Sequence, residues 1–249
     1  MNREAILKRL DEERRSLIWD SDVLDVLPDV TRLRSVNNLR HTIIHSSLTA
    51  DNADQVIARE IEHHRQLGVE FEWKVYSHDR PADLQQRLAR HGFEIGRCEA
   101  VLVRDATTWN AKHRVCPVEI LEQVGIFRSL AEEIFAKNYE LTATELAQGI
   151  KTGSTQNRGY IAFIGDESAG IGRLYTNPNS AFGGFYGGGV RAAYRGRGVY
   201  RALVAARGRD ALARGARYLL VDALPTSRPI LEHLGFERIS DTWPCVWKP

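Results

Sequence analysis

Tyr194-Arg195-Gly196-Arg197-Gly198-Val199-Tyr200 is the stretch around which the rest of the chain is arranged. Before it runs Phe182 to Val190, apolar and rich in glycine, with the pattern of a strand. After it, Leu203, Val204, Ala205, Ala206 and Leu212 stand among arginines in a run of good helix formers. The reading is strand, turn, helix. Such a turn suits an anion, because the first amides of a helix lack intrahelical partners and the helix dipole is positive there. Glycines let successive N–H groups converge, and the arginines add charge.

Three kinds of phosphate-binding turn compete for this stretch. A P-loop needs Gly-x-x-x-x-Gly-Lys-Ser/Thr, which does not occur near it. A dinucleotide turn needs Gly-x-Gly-x-x-Gly and an acid about twenty residues on. Gly196, Gly198 and Asp222 suit that pattern, but bulky Arg201 stands where the third glycine belongs. The third pattern, Arg/Gln-x-x-Gly-x-Gly/Ala, fits Arg195 to Val199 and departs only at Tyr200. Val190 lies five residues earlier, and Tyr218-Leu219-Leu220-Val221-Asp222 follows as a buried strand. Ser227 to Glu237 then reads as a short helix ending in Gly235-Phe236-Glu237. In these linked motifs the chain from about residue 115 to 249 resembles the GNAT N-acyltransferases.

That resemblance implies an α/β (α+β) GNAT acyltransferase fold, a mixed central sheet flanked by helices. It implies acetyl-CoA, or another acyl-CoA, as the cofactor. Gly188, Gly189 and Val190 would bind its pantetheine arm; Arg195, Gly196, Arg197, Gly198, Val199 and Tyr200 would bind its pyrophosphate, with Ser227 a further contact. Five glycines weaken the strand from Phe182 to Val190, and close approach of a ligand to its backbone is the expected reason. Eight arginines between Arg191 and Arg217 face one acid, Asp210, which suits the phosphates of coenzyme A. Nucleic acid would require a wider footprint with stacking aromatics and is not expected.

The implied reaction is direct attack by an amine on the thioester in a ternary complex. It calls for a base, a polarising amide near Gly189 or Val190, and an acid for the leaving thiolate. The family's tyrosine acid would fall at Leu231, so that acid is absent or supplied elsewhere. Tyr186, Glu140 and Tyr175 are the candidate catalytic groups. Asn138, Tyr139 and Glu140, between two expected helices, are candidate contacts for an acceptor, a small-molecule or peptide amine. Positioning alone supplies much of such an acceleration, so an acyltransferase is the expected enzyme. An inactive acyl-CoA sensor is the alternative.

The 249 residues leave room for one large or two small domains. A 43% hydrophobic and 27% charged composition is that of a globular protein, and a net charge of +2 argues against general nucleic-acid binding. The N-terminal stretch reads as a charged amphipathic helix over residues 4–18, without a signal peptide, and no run suits a membrane span. Cys98, Cys116 and Cys245 lack metal-ligand spacing and suggest free, mostly buried thiols in a cytoplasmic protein.

The first half repeats the second. A shift of 143 places Gly92-Phe93-Glu94 on Gly235-Phe236-Glu237, Leu88 on Leu231 and Asp79 on Asp222. Expected elements are a strand from Leu39 to Leu48 beside Asn38, a helix opening at Asp51-Asn52-Ala53-Asp54 and stopping near Gly68, a strand Phe71 to Tyr76, a helix Pro81 to Arg90, and a strand Ala100 to Val103. The equivalent turn, Ser47 to Asp54, has no glycine or arginine and carries two carboxylates. The expectation is a degenerate GNAT-like domain over 1–110 and a cofactor-binding domain over 114–249, joined near Trp109 to His113, as a monomeric internal pseudo-dimer or a homodimer. The six histidines of the first half read as solvated or interface residues, with no metal. In the second half the expectations are a strand Val118 to Leu121, a helix through Phe135, a capping box at Thr142 to Glu145, a polar loop Lys151 to Arg158, and a hairpin around Gly165-Asp166.

Overall fold

The computed structural model describes residues 2–18, 22–35 and 40–249. The chain forms two compact units, Met1–Leu102 with Asp222–Pro249, and Val103–Val221. These cuts differ from the expected 1–110 and 114–249, because the chain passes between units inside two strands.

The first unit opens with α1 (Arg3–Ser16), capped by Asn2, whose Oδ1 accepts from Ala5 N. A hairpin, β1 (Asp22–Val26) and β2 (Val30–Ser35), follows, and sequence patterning gave no sign of it. Then come β3 (His41–Ser46), α2 (Ala53–Leu67), β4 (Phe71–Tyr76), α3 (Leu84–Arg90), β5 (Glu94–Ile95) and β6 (Glu99–Asp105), the last of which crosses into the second unit. Leu39 and Asn38, at the expected start of β3, lie outside the described residues. The second unit continues with β7 (Val115–Pro117), α4 (Leu121–Phe135), α5 (Glu140–Thr152), β8 (Asn157–Ile164), β9 (Glu167–Tyr175), β10 (Phe182–Val190), α6 (Val199–Ala213) and β11 (Tyr218–Ala223). Finally α7 (Arg228–His233) and β12 (Glu237–Trp247) return to the first unit, where β12 pairs antiparallel with β4 from Thr242↔Tyr76 to Trp247↔Phe71. The fold is mixed α/β.

In the first unit the strand order is β1-β2-β3-β4-β12, with β5 on β12. α2 lays Val56, Ile57 and Ile61 on a core of Ile43, Phe71, Trp73 and Leu88, the i, i+1, i+5 set of one helical face. It stops at Gly68, whose φ of 66° places it in the left-handed region that suits glycine. In the second unit the order is β11-β10-β9-β8-β7, and α4 and α5 cover a core of Phe127, Leu130, Leu146, Ile161 and Ile171.

The matched Gly-Phe-Glu segments have one geometry. Phe93 N donates to Leu88 O and Phe236 N to Leu231 O, each at 3.1 Å, and both leucines are fully buried. Gly92 and Gly235 have φ of 88° and 84°. Asp79 and Asp222 do not correspond: Asp222 lies within β11, whereas Asp79 follows β4 and accepts from Tyr76 N.

Several boundaries move. The helix expected from Pro81 begins at Leu84, after a turn in which Leu84 N donates to Pro81 O. The first strand of the second half is Val115–Pro117 rather than Val118 to Leu121, since Leu121 already opens α4. Thr142 to Glu145 lies inside α5, not at its cap, because Asn138 Oδ1 takes the Glu140 N–H and starts the helix earlier. The Lys151 end of the expected loop is helical to Thr152, and β8 already starts at Asn157. Two of the histidines read as solvated or interface residues are buried: His64 stacks on Phe71 at 3.8 Å, and His41 meets His64 edge-on at 5.3 Å. Of the cysteines only Cys245 is buried, and Cys98 is exposed. Among the described residues no group of side chains is arranged to hold a metal, and no helix is long and apolar enough to cross a membrane.

Candidate functional site

The candidate site lies in the second unit, on β9, β10 and α6. β10 runs antiparallel to β9 but pairs in parallel with β11 only over Phe182–Gly184. Beyond Gly184 the two parallel strands separate. Arg191 N donates to Ala169 O at 3.0 Å, so the neighbouring Val190↔Gly170 pair is the non-hydrogen-bonded kind. The Val190 amide therefore points away from β9, toward the gap; its carbonyl there accepts from Arg195 Nε at 3.2 Å.

A bulge between Tyr186 and Gly189, with Gly187 at φ 53°, inserts one residue and changes which face each side chain takes. Before it, Tyr186 lies opposite Arg173 and shares the face of α4 and α5. After it, Gly188 faces α6 while Gly189 faces α4. The glycines have packing reasons. A Cβ on Gly189 would meet Ile134 Cγ2 at 2.5 Å and Phe135 Cζ at 2.7 Å; one on Gly188 would meet the Tyr200 ring at 3.1 Å. Ligand approach, the reason expected from sequence, is thus not needed to account for these two. Tyr200, where the family pattern has a small residue, fits because Gly188 has no side chain beneath it.

From Val190 the chain passes a 3-10 turn, Ala192–Tyr194, and two left-handed glycines, Gly196 at φ 73° and Gly198 at φ 85°. Gly198 is the N-cap of α6 and offers no side chain to the helix. The first intrahelical bond is Ala202 N to Gly198 O, so the amides of Val199, Tyr200 and Arg201 are left over. Arg195, Arg197 and Arg201 are exposed, and none has a carboxylate partner among the described residues. His113 Nε2 lies 2.6 Å from Arg197 O and braces the turn. Arg191 is committed to Glu133 at 2.8 Å.

Beneath the bulge, Arg207 is 1% exposed. Its Nε donates to Leu203 O and its Nη1 to Arg173 O, each at 3.1 Å, and the guanidinium lies 4.4 Å above Phe185. Burial lowers its pKa, against the opposing influence of Tyr200 and Tyr160.

On the opposite face, Arg173 donates to Tyr175 Oη at 3.0 Å and lies 3.8 Å from Glu145 of α5. Tyr175 and Tyr186 meet edge to face at 5.0 Å. Tyr139 is buried against Phe135, and burial raises its phenol pKa while Arg173 opposes the rise. Tyr175, Tyr186 and Tyr139 are thus brought to one face. Glu140 is exposed and paired with Arg128. Asn138 is exposed at the helix connection, and Ser227 stands at the N-cap position of α7 in the first unit, its Oγ donating back to Leu224 O rather than capping the helix. Arg173 and Glu145 escaped the sequence reading; the one signal was a charge inside the otherwise apolar run Ile171 to Tyr175.

No protein-family model matches the chain, and no curated protein matches it significantly. Solved structures do. A GCN5-related N-acetyltransferase from Kribbella flavida superposes with a TM-score of 0.67 at 12% identity, covering 98% of this chain and 93% of that one. A counterpart from Sphaerobacter thermophilus gives 0.61 at 12% identity, covering 98% and 91%. A functionally unknown conserved protein from Staphylococcus epidermidis gives 0.67 at 13%, covering 93% and 96%. The chain has the fold of the GCN5-related N-acetyltransferases.

Proposed function

We propose that the protein is an acyl-CoA-dependent N-acyltransferase whose cofactor site is the β10–α6 turn, with acetyl-CoA the expected donor. The observation that carries this reading is a helix N-terminus without a side-chain cap, with three arginines beside it that have no acidic partner among the described residues. A pyrophosphate meets both needs, through the amides of Val199, Tyr200 and Arg201 and the charges of Arg195, Arg197 and Arg201. Gly196 and Gly198 allow the close backbone approach. The gap beside Val190 suits an extended amide-bearing arm laid along the strand, with Gly188 and Gly189 alongside.

Bound acyl-CoA supplies a thioester, whose C–S bond breaks as the acceptor nitrogen forms the new C–N bond. The backbone N–H of Val190, which points away from β9, is the candidate stabiliser of negative charge on the carbonyl oxygen. Tyr186, half exposed beside the bulge, is the candidate donor of a proton to the leaving sulfur. Glu140, tied to Arg128, stays at the rim of the acceptor loop. The acceptor ammonium loses one proton before attack; its nitrogen loses a second as the amide forms, and the leaving sulfur gains one.

The first unit reads as a degenerate copy that does not bind the cofactor. Its β3–β4 gap holds Arg14, whose Nε donates to Ile44 O at 2.7 Å while its guanidinium lies 3.7 Å above Tyr76. Free thiols and the fold suit a cytoplasmic enzyme. Leu231, fully buried where the family's tyrosine acid would stand, favours the alternative of an acyl-CoA sensor.

Calorimetric titration with coenzyme A, acetyl-CoA and NAD, on the native protein and on Gly198→Trp, tests the reading. Acetyl-CoA should bind, and the substitution should weaken it more than about 100-fold, or about 2.7 kcal/mol. Binding of NAD alone, or of none of the three, refutes it. Binding without thiol release for any amine identifies the sensor.

A further inference from the structure

In the first unit, side chains from α1, from β12 and from the turn after β4 form one continuous chain of hydrogen bonds. Asp79 N donates to Tyr76 O at 3.0 Å and Tyr76 N to Asp79 Oδ2 at 2.8 Å, which pins a tight turn with Ser77 and His78 at its tip. Ser77 is exposed. Its Oγ lies 2.9 Å from Ser240 Oγ, and that oxygen lies 3.0 Å from His78 Nδ1. His78 Nε2 lies 3.1 and 3.0 Å from the two carboxylate oxygens of Asp11. Burial works to raise the pKa of Asp11, but His78 and Arg14 together hold it below the usual carboxylate range. Asp11 is therefore ionised and can only accept, which places the single proton of a neutral His78 on Nε2 and leaves Nδ1 an acceptor. Ser240 then donates to Nδ1, with Asp241 O at 3.2 Å the more distant alternative, and its own oxygen accepts from Ser77. Each donor in the series points from the exposed hydroxyl toward the carboxylate.

A second feature adds chemistry to this geometry. Ser240 is 7% exposed and shields the imidazole, so the reachable end of the series is Ser77. The amide of Ser77 donates to Asp241 O at 2.9 Å, but the amide of His78, the next residue, has no hydrogen-bond partner among the described residues. The N–H that follows a nucleophilic serine is well placed to hold a developing oxyanion.

We propose that Ser77 is a nucleophile activated through Ser240 by His78 and Asp11, and that this cluster hydrolyses small carboxylic esters. Ser77 Oγ bonds to the ester carbonyl carbon as its proton passes to Ser240 and the Ser240 proton to His78 Nδ1. The imidazolium, stabilised by Asp11, returns a proton along the same path to the leaving oxygen as the bond from the carbonyl carbon to that oxygen breaks. Water then attacks the acyl-serine with the same relay, which releases a carboxylic acid and restores Ser77. An exposed turn tip gives little binding energy for a long chain, so short esters of good leaving groups are the class it takes. The activity is separate from the acyltransferase reading of the second unit.

The native protein is treated with a fluorophosphonate and mapped by peptide mass spectrometry, and turnover of p-nitrophenyl acetate is followed by absorbance. A single phosphonate should attach, at Ser77, and p-nitrophenol release should continue over many turnovers. Ser77→Ala should abolish both. Ser240→Ala should slow both about 100-fold, while Ser240→Thr, which keeps the hydroxyl, should recover most of the rate. His78→Ala should lose the label and regain it when imidazole is added, a response that a merely structural histidine would not give. Melting temperatures identify any variant that fails to fold. Native labelling that misses Ser77, turnover that survives Ser77→Ala, or a folded Ser240→Ala that labels at the native rate overturns the proposal, whatever the outcome of acetyl-CoA titration.

Discussion

Two strand–gap–helix passages in this chain have the same layout and opposite endings. β3 and β4 pair in parallel only at Thr42↔Glu72 and Ile43↔Trp73 before they separate, as β10 and β11 do after Gly184. In the first unit Arg14 fills the gap, held by Asp11 at 2.9 Å and lying 3.9 Å from Asp79. The turn into α2 is closed by its own residues, with Asn52 Oδ1 accepting from Thr49 N at 2.8 Å and Thr49 Oγ1 from Asn52 N at 3.3 Å. Asp54, in the first turn, places a negative charge on the helix dipole and pairs with Arg87 and His91. In the second unit the carbonyl in the corresponding gap is met by exposed Arg195, which has no acidic partner among the described residues, and α6 has neither a side-chain cap nor an acid in its first turn. A splayed parallel pair is therefore a property of the fold; whether it can take a ligand depends on what the chain itself has put there.

The helices extend the contrast. His64 and Arg207, 143 residues apart, are each buried against the sheet and each bonded to the carbonyl four residues back, Glu60 O at 2.8 Å and Leu203 O at 3.1 Å. One is a base that can be buried neutral; the other stays charged and relies on carbonyls and an aromatic face.

The contrast can be broken most sharply at Arg14. Arg14→Ala should cost about 3 kcal/mol in urea unfolding, since it leaves buried Asp79 without its cation, and should create no second acetyl-CoA site. A second binding event would mean that the plug alone separates the two passages. The pH response comes next. Burial holds His64 at about 4, with the Glu60 carbonyl opposing that shift, whereas the unfolded side chain titrates near 6.5. The unfolded state therefore takes up the extra proton between pH 6.5 and about 4, so stability falls as pH drops through that window, by on the order of 3 kcal/mol. His64→Phe should flatten urea midpoints measured across this range; an unchanged slope would show that another group sets it.

Smaller effects follow. Gly189→Val drives a branched side chain into Ile134 and Phe135 and should cost about 1–3 kcal/mol, read as a lower melting temperature. Ser46→Ala, 143 residues earlier, should barely change stability, because its buried hydroxyl makes no hydrogen bond. The smallest pair compares the helix starts directly. Arg197→Ala should weaken acetyl-CoA binding about two- to fivefold, more at low salt, with stability unchanged. Asp54→Asn should lower the melting temperature slightly and leave acetyl-CoA binding as it was. Equal responses in the two variants would erase the distinction.

The turn Arg195 to Tyr200, the bounds of β4 and β10, and the Gly-Phe repeat were legible in sequence because each depends on local backbone chemistry. Glycines at left-handed φ, apolar runs and a short helix ended by glycine carry their signals within a few residues. The β1–β2 hairpin left no such signal: its strand positions are only half buried for the most part, so no sharp alternation marks them. Helix starts at Leu84 and Glu140 shifted because a nearby carbonyl or amide acceptor competed with the expected cap.

What the tertiary structure alone decided was which groups meet across distance. Arg14 reaches Ile44 from thirty residues away, and Glu145 of one helix faces Arg173 of a strand. The bulge at Gly187 sends Tyr186 and Gly188 to opposite faces, which a two-residue period would have placed on the same one. β12 joins β4 of the first unit rather than strands of the half that precedes it. Sequence determines local conformation through φ, ψ and capping; the identity of a long-range partner depends on how whole elements pack, and no short window of residues contains it.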